Sequence, residues 1–268
     1  MLKTLIVLSL VVLVVTSVGW KKFIYFISIG YGYSIAAIAV SLLFIYNGIS
    51  WWNIVMAVLM ILYGFRLATY LLVRELKSVN YVKTVSLDAM KNSDYSFMVL
   101  FFIWISCVLL YICQMFPLAL RMNVESQGIT PAPVMAYVGI GLTAVGILLE
   151  ALADWQKNAA KKVNPGRFVD TGLYRMVRCP NYFGEVIVWT GVFVSGIGCY
   201  TEFWHWLLAL LGYVGIVYIM FSGARRIEIR QDKNYGDDPV YQAYKNKTPI
   251  LIPLLPIYSV KRHKWLKG

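Results

Sequence analysis

Long apolar segments recur along the whole chain and are separated by shorter polar stretches. A helix that crosses the hydrocarbon core of a bilayer needs roughly 20 mainly apolar residues. Seven segments approach or exceed this length, and they cover residues 5–20, 23–46, 51–73, 97–120, 133–153, 182–200 and 203–223. The pattern predicts an all-α integral membrane protein with about seven transmembrane helices, forming a single membrane domain over residues 1–268.

The first apolar segment is the shortest and could be read as a signal peptide. It contains no small-x-small cleavage site, and Lys21 and Lys22 follow it directly. A basic pair at this position is typical of a stop signal next to a retained helix. We therefore predict that residues 5–20 form the first span of the protein.

Charged residues are scarce, and the basic ones are distributed unevenly along the chain. Charged residues make up 14% of the 268 residues, against about 25% in average globular domains. Loops that would lie on one side of the membrane, together with the tail, hold 22 of the 25 lysines and arginines. The positive-inside rule then places the N-terminus outside and the C-terminus in the cytosol. The predicted location is the inner membrane of a bacterium or the endoplasmic reticulum of a eukaryote.

The excess of basic residues on one side of the membrane, together with attraction to anionic membrane lipids, explains the net charge of +12. No groove-reading motif accompanies the basic residues, so we predict no nucleic-acid partner. Four cysteines and two histidines lack the spacing of a metal site or a disulfide framework. We therefore predict no metal.

The two parts of the chain differ in character. Residues 1–130 are mostly plain apolar segments, predicted to be helices on the lipid and substrate side, whereas polar segments interrupt the second part. Arg66, Glu150, Asp154 and Glu185 lie within or at the ends of predicted spans. Ionisable residues at such positions are costly and indicate function by default. The alternative is that each lies at the interface and extends to water.

A polar stripe is predicted on the fifth span and its cytosolic extension. Glu150, Asp154, Lys157 and Lys161 are spaced 0, 4, 7 and 11, which places them on one face of a helix. The stripe is either a ladder of salt bridges or the lining of a cofactor cavity in which the lysines face phosphates.

Further polar positions follow at the start of the sixth span. Pro180 suits the first turn of a helix, whose free N–H groups favour an anion, and Arg175 and Arg178 approach from the preceding loop. The alternative is ordinary re-entry into the membrane with basic anchors. In the tail, tyrosines and a proline-bounded apolar stretch, residues 248–253, predict that the tail folds back onto the membrane face.

Three segments within residues 145–256 together resemble the membrane family of steroid 5-alpha-reductases and sterol reductases, including its DUF1295-like bacterial branch of uncharacterised proteins. The first segment reads Glu-x-x-x-Asp-x-Gln-Lys from Glu150. The second combines Gly-Leu-Tyr-Arg from Gly172 with Arg-Cys-Pro-Asn-Tyr-Phe-Gly-Glu from Arg178. The third combines Tyr-Gly at Tyr235 with Thr-Pro-Ile-Leu-Ile-Pro from Thr248. The resemblance implies a multi-helix enzyme that holds NADPH in a cytosol-facing cavity and reduces carbon–carbon double bonds in lipid-like substrates.

The resemblance also implies which residues contact NADPH. Lys157 and Lys161 match the positions that meet the nucleotide phosphates. The other predicted cofactor contacts are Asp154, Tyr174, Arg178, Asn181, Tyr182, Glu228, Asp232, Tyr235 and Tyr244. In the third span, Tyr63 with Arg66 and Tyr70 resembles the family's Tyr-x-x-Arg-x-x-x-Tyr, whose tyrosine is an acid at the substrate carbonyl.

The sequence departs from the family at three places. Cys179 stands where the bacterial branch usually has histidine, and Lys161 where the family often has arginine. Residues 23–47 contain no acid, although steroid reductases place a glutamate there beside the tyrosine. The missing acid puts a 3-ketosteroid substrate in doubt and leaves the cofactor prediction unchanged.

The main hypothesis is therefore an NADPH-dependent reductase of a steroid- or lipid-like enone that enters from the bilayer. Tyr63 would donate a hydrogen bond to the carbonyl oxygen, where charge builds, and Glu150 or Glu185 would orient that tyrosine or the nicotinamide amide. One alternative is an S-adenosylmethionine-dependent methyltransferase of the isoprenylcysteine type, whose Arg-x-Pro-x-Tyr-x-Gly signature is present from Arg178 to Gly184. The other is a non-catalytic lipid-binding protein of the same fold.

Overall fold

The computed structural model describes residues 1–77 and 95–266, apart from the side chains of residues 75 and 77. Nine α-helices and no strand occur among these residues. In chain order the helices are α1 Leu2–Thr16, α2 Ile24–Ile27, α3 Ile29–Ile45, α4 Trp51–Lys77, α5 Phe97–Ser126, α6 Val134–Val163, α7 Pro180–Ser195, α8 Phe203–Tyr235 and α9 Pro239–Lys247. The predicted loop lysines Lys83 and Lys91, and Lys267 in the tail, lie outside the described residues.

Five helical stretches are long and apolar enough to cross a membrane: Leu2–Trp20, Trp51–Arg74, Phe97–Ser126, Val134–Val163 and Phe203–Tyr235. They confirm an all-helical, multi-pass membrane protein. The two other predicted segments contain the shorter helices α3 and α7. In the first of these, the backbone at Ser28 leaves helical geometry (φ −121°, ψ −88°) and separates α2 from α3.

Two compact units can be distinguished. The N-terminal unit contains Met1–Ile140 and Val192–Tyr213, and the C-terminal unit contains Gly141–Gly191 and Val214–Gly268.

In the N-terminal unit α3 and α4 touch backbone to backbone, since a Cβ added at Gly32 would lie 2.7 Å from the Gly64 carbonyl oxygen. Small residues allow this approach between membrane helices.

Arg121 shows how the N-terminal unit satisfies a buried cation. It directly follows the predicted span over residues 97–120, yet it lies inside α5, which continues to Ser126, and is fully buried. Its guanidinium donates to the carbonyl oxygens of Ser195 (3.0 Å), Pro131 (3.3 Å) and Ala132 (3.0 Å). The arginine thus links the C-terminal part of α5 to the end of α7 and to the loop before α6.

Helices α6 and α7 make the corresponding contact in the C-terminal unit. A Cβ at Gly146 would lie 2.6 Å from the Val188 nitrogen, and one at Gly184 would lie 2.8 Å from the Gly146 oxygen. The tail packs against the start of α7 and against α8. Its apolar residues join a buried cluster of Cys179, Ala224, Ile250, Leu251, Val260 and Leu266.

Candidate functional site

The crossing of α6 and α7 gathers several predicted site residues in the C-terminal unit. A Cβ at Gly184 would lie 2.7 Å from the Glu150 nitrogen and 3.0 Å from the Glu150 Cβ. Asn181 and Tyr182 precede Gly184 in the first turn of α7, and Glu185 follows it. The absence of a side chain at residue 184 therefore brings Glu150 against the start of α7.

Three carboxylates at this crossing are buried. Glu150 is 3% exposed, Glu185 5% and Asp154 8%. The Trp189 indole donates to Glu185 Oε1 at 3.3 Å. Burying a carboxylate is costly unless it is paired or hydrogen-bonded, and buried carboxylates in membrane proteins commonly mark function.

The predicted stripe on α6 lies on continuous helix. Helix α6 runs unbroken to Val163, so Glu150, Asp154, Lys157 and Lys161 share one face. Lys157 is half-buried, one turn beyond Asp154. It is the cation of the stripe that lies nearest to the carboxylates along the helix.

Lys161 makes structural hydrogen bonds that its position in the sequence did not predict. Its ammonium donates to the carbonyl oxygens of Pro165 (3.1 Å) and Arg167 (2.5 Å) and to the Tyr235 hydroxyl (3.2 Å). An ammonium has three donors, and these contacts use all three. Lys161 therefore holds the loop that follows α6, and its contact with a phosphate stays a prediction.

The Gly172–Arg175 turn is fixed against α6. Gly172 has φ +60°, and a Cβ there would lie 2.4 Å from Gln156 Oε1. That oxygen accepts a hydrogen bond from the Leu173 nitrogen at 2.8 Å. The Tyr174 hydroxyl donates to the Ala153 oxygen at 3.3 Å. Gln156 is thus a positioning residue for the motif, to which sequence reasoning assigned no role.

A buried ion pair joins the start of α7 to α8 and the tail. Arg178 Nη2 donates to Glu228 Oε1 at 3.2 Å and to the Tyr258 oxygen at 2.5 Å, and the two charged side chains are 1% and 0% exposed. Glu228 Oε2 accepts from the Val260 nitrogen at 2.9 Å. Both residues were predicted cofactor contacts, and the structure shows them binding each other and the tail.

Asp232 organises a second cluster at the end of α8. Its carboxylate accepts from Lys245 (2.7 Å and 2.8 Å), Lys261 (3.0 Å) and the Tyr241 hydroxyl (3.0 Å). Burial, together with the hydrogen bond to Asp232, raises the pKa of Tyr241, so the phenol stays a donor. Lys245 and Lys261 were not predicted. They lie 13 and 29 residues from Asp232, and no local sequence signal links them.

The tail tyrosines form an aromatic cluster around Phe168. Their ring centroids lie 5.7 Å (Tyr235), 5.3 Å (Tyr241) and 5.5 Å (Tyr244) from the Phe168 centroid. The Tyr244 hydroxyl donates to the Tyr174 oxygen at 2.6 Å, and burial raises its pKa. Tyr235 and Tyr244 therefore stabilise the fold around the predicted site, and their contact with a cofactor stays a prediction.

Cys179 is buried where the bacterial branch usually has histidine. It is 2% exposed, and its nitrogen donates to the Ile250 oxygen at 2.9 Å. Burial raises the pKa of its thiol to about 11. The side chain is therefore a neutral packing group and cannot take over the acid–base chemistry of an imidazole at neutral pH.

The predicted catalytic tyrosine lies in the N-terminal unit. Tyr63 on α4 is fully buried, and its hydroxyl lies 3.0 Å from the Tyr31 hydroxyl on α3. The Tyr31 ring packs 5.1 Å from that of Tyr111. Tyr31 lies in the segment that lacks an acid, and sequence reasoning overlooked it because a tyrosine in an aromatic-rich helix carries no distinguishing signal.

Comparisons with known proteins place the chain in a family. The model of a family described as a protein of unknown function, DUF1295, matches residues 14–248. The chain is also similar to the uncharacterized protein C594.04c of Schizosaccharomyces pombe, with 28% identity over 141 residues. That alignment covers 44% of this chain and 39% of the yeast protein. No solved structure matches significantly. Because the family model spans most of the sequence, the chain belongs to the DUF1295 family.

Proposed function

We propose that the protein is an NADPH-dependent membrane reductase of a carbon–carbon double bond in a steroid- or lipid-like enone. The observation that carries the proposal is the Gly146–Gly184 crossing, which packs the buried Glu150 against the Asn181–Glu185 start of α7. The membership supports it further, because the DUF1295 family is associated with steroid 5-alpha-reductase-like proteins.

The residues at the crossing suit a dinucleotide. Lys157 is a half-buried cation on the α6 face, and the first turn of α7 offers backbone N–H groups of the kind that bind anions. Asn181 and Tyr182 supply amide and phenol groups, and Asp154, Glu150 and Glu185 supply acceptors. When bound, NADPH would provide a hydride for the β carbon of the enone.

The role proposed for Tyr63 is to polarise the substrate carbonyl. Tyr63 would donate a hydrogen bond to the carbonyl oxygen, where negative charge builds during reduction. The Tyr31 hydroxyl at 3.0 Å would hold that of Tyr63 in one orientation. In the C-terminal unit, Glu150 or Glu185 would orient the nicotinamide amide.

The proposed topology has seven spans, with the N-terminus outside and the C-terminus in the cytosol of a bacterial inner membrane or at the endoplasmic reticulum. The distribution of basic residues supports it. At 1.5 Å per residue, α3 and α7 are about 25 Å long, so each would cross the core with help from a few flanking residues. Reporters fused to the two ends should lie on opposite sides, and finding both on one side would refute this topology.

A membrane methyltransferase that uses S-adenosylmethionine is the second candidate. The Arg-x-Pro-x-Tyr-x-Gly signature from Arg178 to Gly184 favours it. The structure adds that Lys161 and Arg178 are already engaged by carbonyl groups and by Glu228. S-adenosylmethionine carries no phosphate and needs no such cations.

Titration of the detergent-purified protein with NADPH and with S-adenosylmethionine distinguishes the two candidates. The reductase proposal predicts saturable binding of NADPH at least tenfold tighter than that of S-adenosylmethionine, and NADPH oxidation with an enone. The reverse preference would assign the fold to methyl transfer. Tight NADPH binding without turnover of a broad enone panel would support a non-catalytic lipid-binding protein.

A further inference from the structure

The last described part of the chain, residues 259–266, lies along one face of α8. Tyr218, Arg225 and Asp232 are spaced by seven residues and share that face. The Tyr218 hydroxyl donates to the Trp265 oxygen at 2.9 Å, and Arg225 donates to the oxygens of Lys261 (3.1 Å) and Leu266 (3.3 Å). At the far end, Lys261 pairs with Asp232. The segment therefore runs antiparallel to α8, back toward its apolar part.

The antiparallel path of residues 259–266 places Trp265 beside the apolar part of α8. Tyr218 lies within the apolar portion of α8, and its ring stacks on that of Trp265 at 6.0 Å. Trp265 is nevertheless 64% exposed. Tryptophan is enriched where the hydrocarbon meets the headgroups, so this ring is suited to the boundary between acyl chains and headgroups.

Basic side chains line a cleft whose His263 ring lies 6.3 Å from the ring of that tryptophan. The cleft has a volume of about 660 Å³ and is lined by Asp232, Lys245, Ser259, Lys261, Arg262 and His263. Three of the lining side chains are basic, and the one carboxylate, Asp232, already pairs with Lys245 and Lys261, so the lining keeps a net positive charge with Arg262 outside these pairs. Arg262 is exposed, and Lys264 beside it adds another exposed cation. The lining therefore favours an anion.

We propose that this cleft binds the headgroup of an anionic phospholipid. Lys261 and Arg262 would contact the phosphodiester, and Trp265 would lie at the glycerol and upper acyl chain. A soluble phosphate would use only the cations, whereas a lipid uses the cations and the exposed indole. The site requires only that the segment lies at a membrane surface, in whichever leaflet, and it does not depend on the proposed reductase activity.

Native mass spectrometry of the full-length protein in detergent tests the site. We expect dioleoyl-phosphatidylglycerol to bind at least tenfold more tightly than dioleoyl-phosphatidylcholine. Each basic residue near a lipid surface contributes enough that its loss weakens binding about fivefold. Arg262→Gln, which leaves the Lys261–Asp232 pair intact, should therefore weaken phosphatidylglycerol binding about fivefold, and Lys261→Gln with Arg262→Gln by more than tenfold.

A matched control removes two positive charges from α8 outside the cleft. Arg226 and Arg230 are exposed on α8 and do not line the cleft, so Arg226→Gln with Arg230→Gln should change phosphatidylglycerol binding less than twofold. Equal binding of the two lipids, or equal loss in the cleft and control variants, would overturn the proposal. Displacement of phosphatidylglycerol by an equimolar amount of inorganic phosphate would also overturn it, because the cations alone would then bind the ligand.

Discussion

Polar side chains in the N-terminal unit bond to one another and to backbone carbonyls, whereas those of the C-terminal unit connect loops and tail through charge. Tyr31 with Tyr63 and Arg121 with three carbonyls represent the first kind. Arg178 with Glu228 represents the second. The difference predicts that losing a hydroxyl in the N-terminal unit weakens one hydrogen bond, while losing Arg178 in the C-terminal unit takes the nearest counter-charge from a buried carboxylate.

The largest effect is expected at the buried ion pair. Arg178→Met should lower the free energy of unfolding by about 3 kcal/mol, because the buried Glu228 would lose its nearest cation and keep only Lys245, at 3.6 Å, as a counter-charge. Denaturant titration of the detergent-solubilised protein measures this change. Arg175→Met, on the exposed side of the same loop, should stay within about 0.5 kcal/mol of wild type. Equal effects of the two variants would remove the contrast between the units.

The second prediction concerns the hydroxyl pair of the N-terminal unit. Tyr63→Phe should lower enone turnover by roughly 10²-fold, the usual range for general acid catalysis, while its unfolding free energy changes by about 1 kcal/mol. Tyr31→Phe, which keeps the Tyr63 hydroxyl, should lower turnover by less. Activity of Tyr63→Phe within about twofold of wild type would exclude Tyr63 as the acid.

The third prediction concerns the helix crossing that forms the candidate site. Gly146→Ala should cost about 1–3 kcal/mol of stability, because the new methyl group would lie 2.6 Å from the Val188 nitrogen. Gly141 on the same helix has nothing within 4 Å of an added Cβ. Gly141→Ala should be neutral or slightly stabilising, since alanine favours helix. A comparable loss in both variants would argue against a tight crossing.

The smallest effect on stability near neutral pH is expected from the ionisation of the Cys179 thiol. With a pKa of about 11, only roughly one thiol in a thousand is ionised at pH 8, so maleimide should label this cysteine only after unfolding. Because the folded pKa lies above the ordinary value of 9.0, its contribution to stability is complete below about pH 9. That contribution is lost as the pH rises toward 11. Rapid labelling of the folded protein at pH 8 would contradict the buried environment.

The sequence was most informative where periodicity and length decide the structure. Apolar segments predicted the five span-length helices, and the spacing from Glu150 to Lys161 correctly placed four side chains on one helical face. The seven-span count stays a prediction, because α3 and α7 are shorter than the apolar segments that contain them. A break such as that at Ser28 depends on backbone geometry that apolar composition does not specify.

Roles that depend on tertiary contacts were less accessible. Arg178 and Glu228 are 50 residues apart, and only the packed tail makes them partners. The acceptors of Lys161 include two backbone carbonyls, which every residue possesses and no motif distinguishes. The segments that carry the resemblance form the α6–α7 crossing, and the structure shows which of their charged residues stabilise the fold; their contact with a cofactor stays a prediction.

Titration of NADPH against two charge-reversal variants tests the central claim most directly. Lys157 is half-buried on the face of Glu150 and Asp154, whereas Lys162 is exposed on the same helix. Wild type and Lys162→Glu should bind NADPH with similar affinity and Lys157→Glu at least tenfold more weakly, a loss of about 1.4 kcal/mol, measured at a temperature where all three proteins are folded. No saturable NADPH binding by the wild-type protein, or equal weakening in both variants, would contradict a dinucleotide site at the α6–α7 crossing.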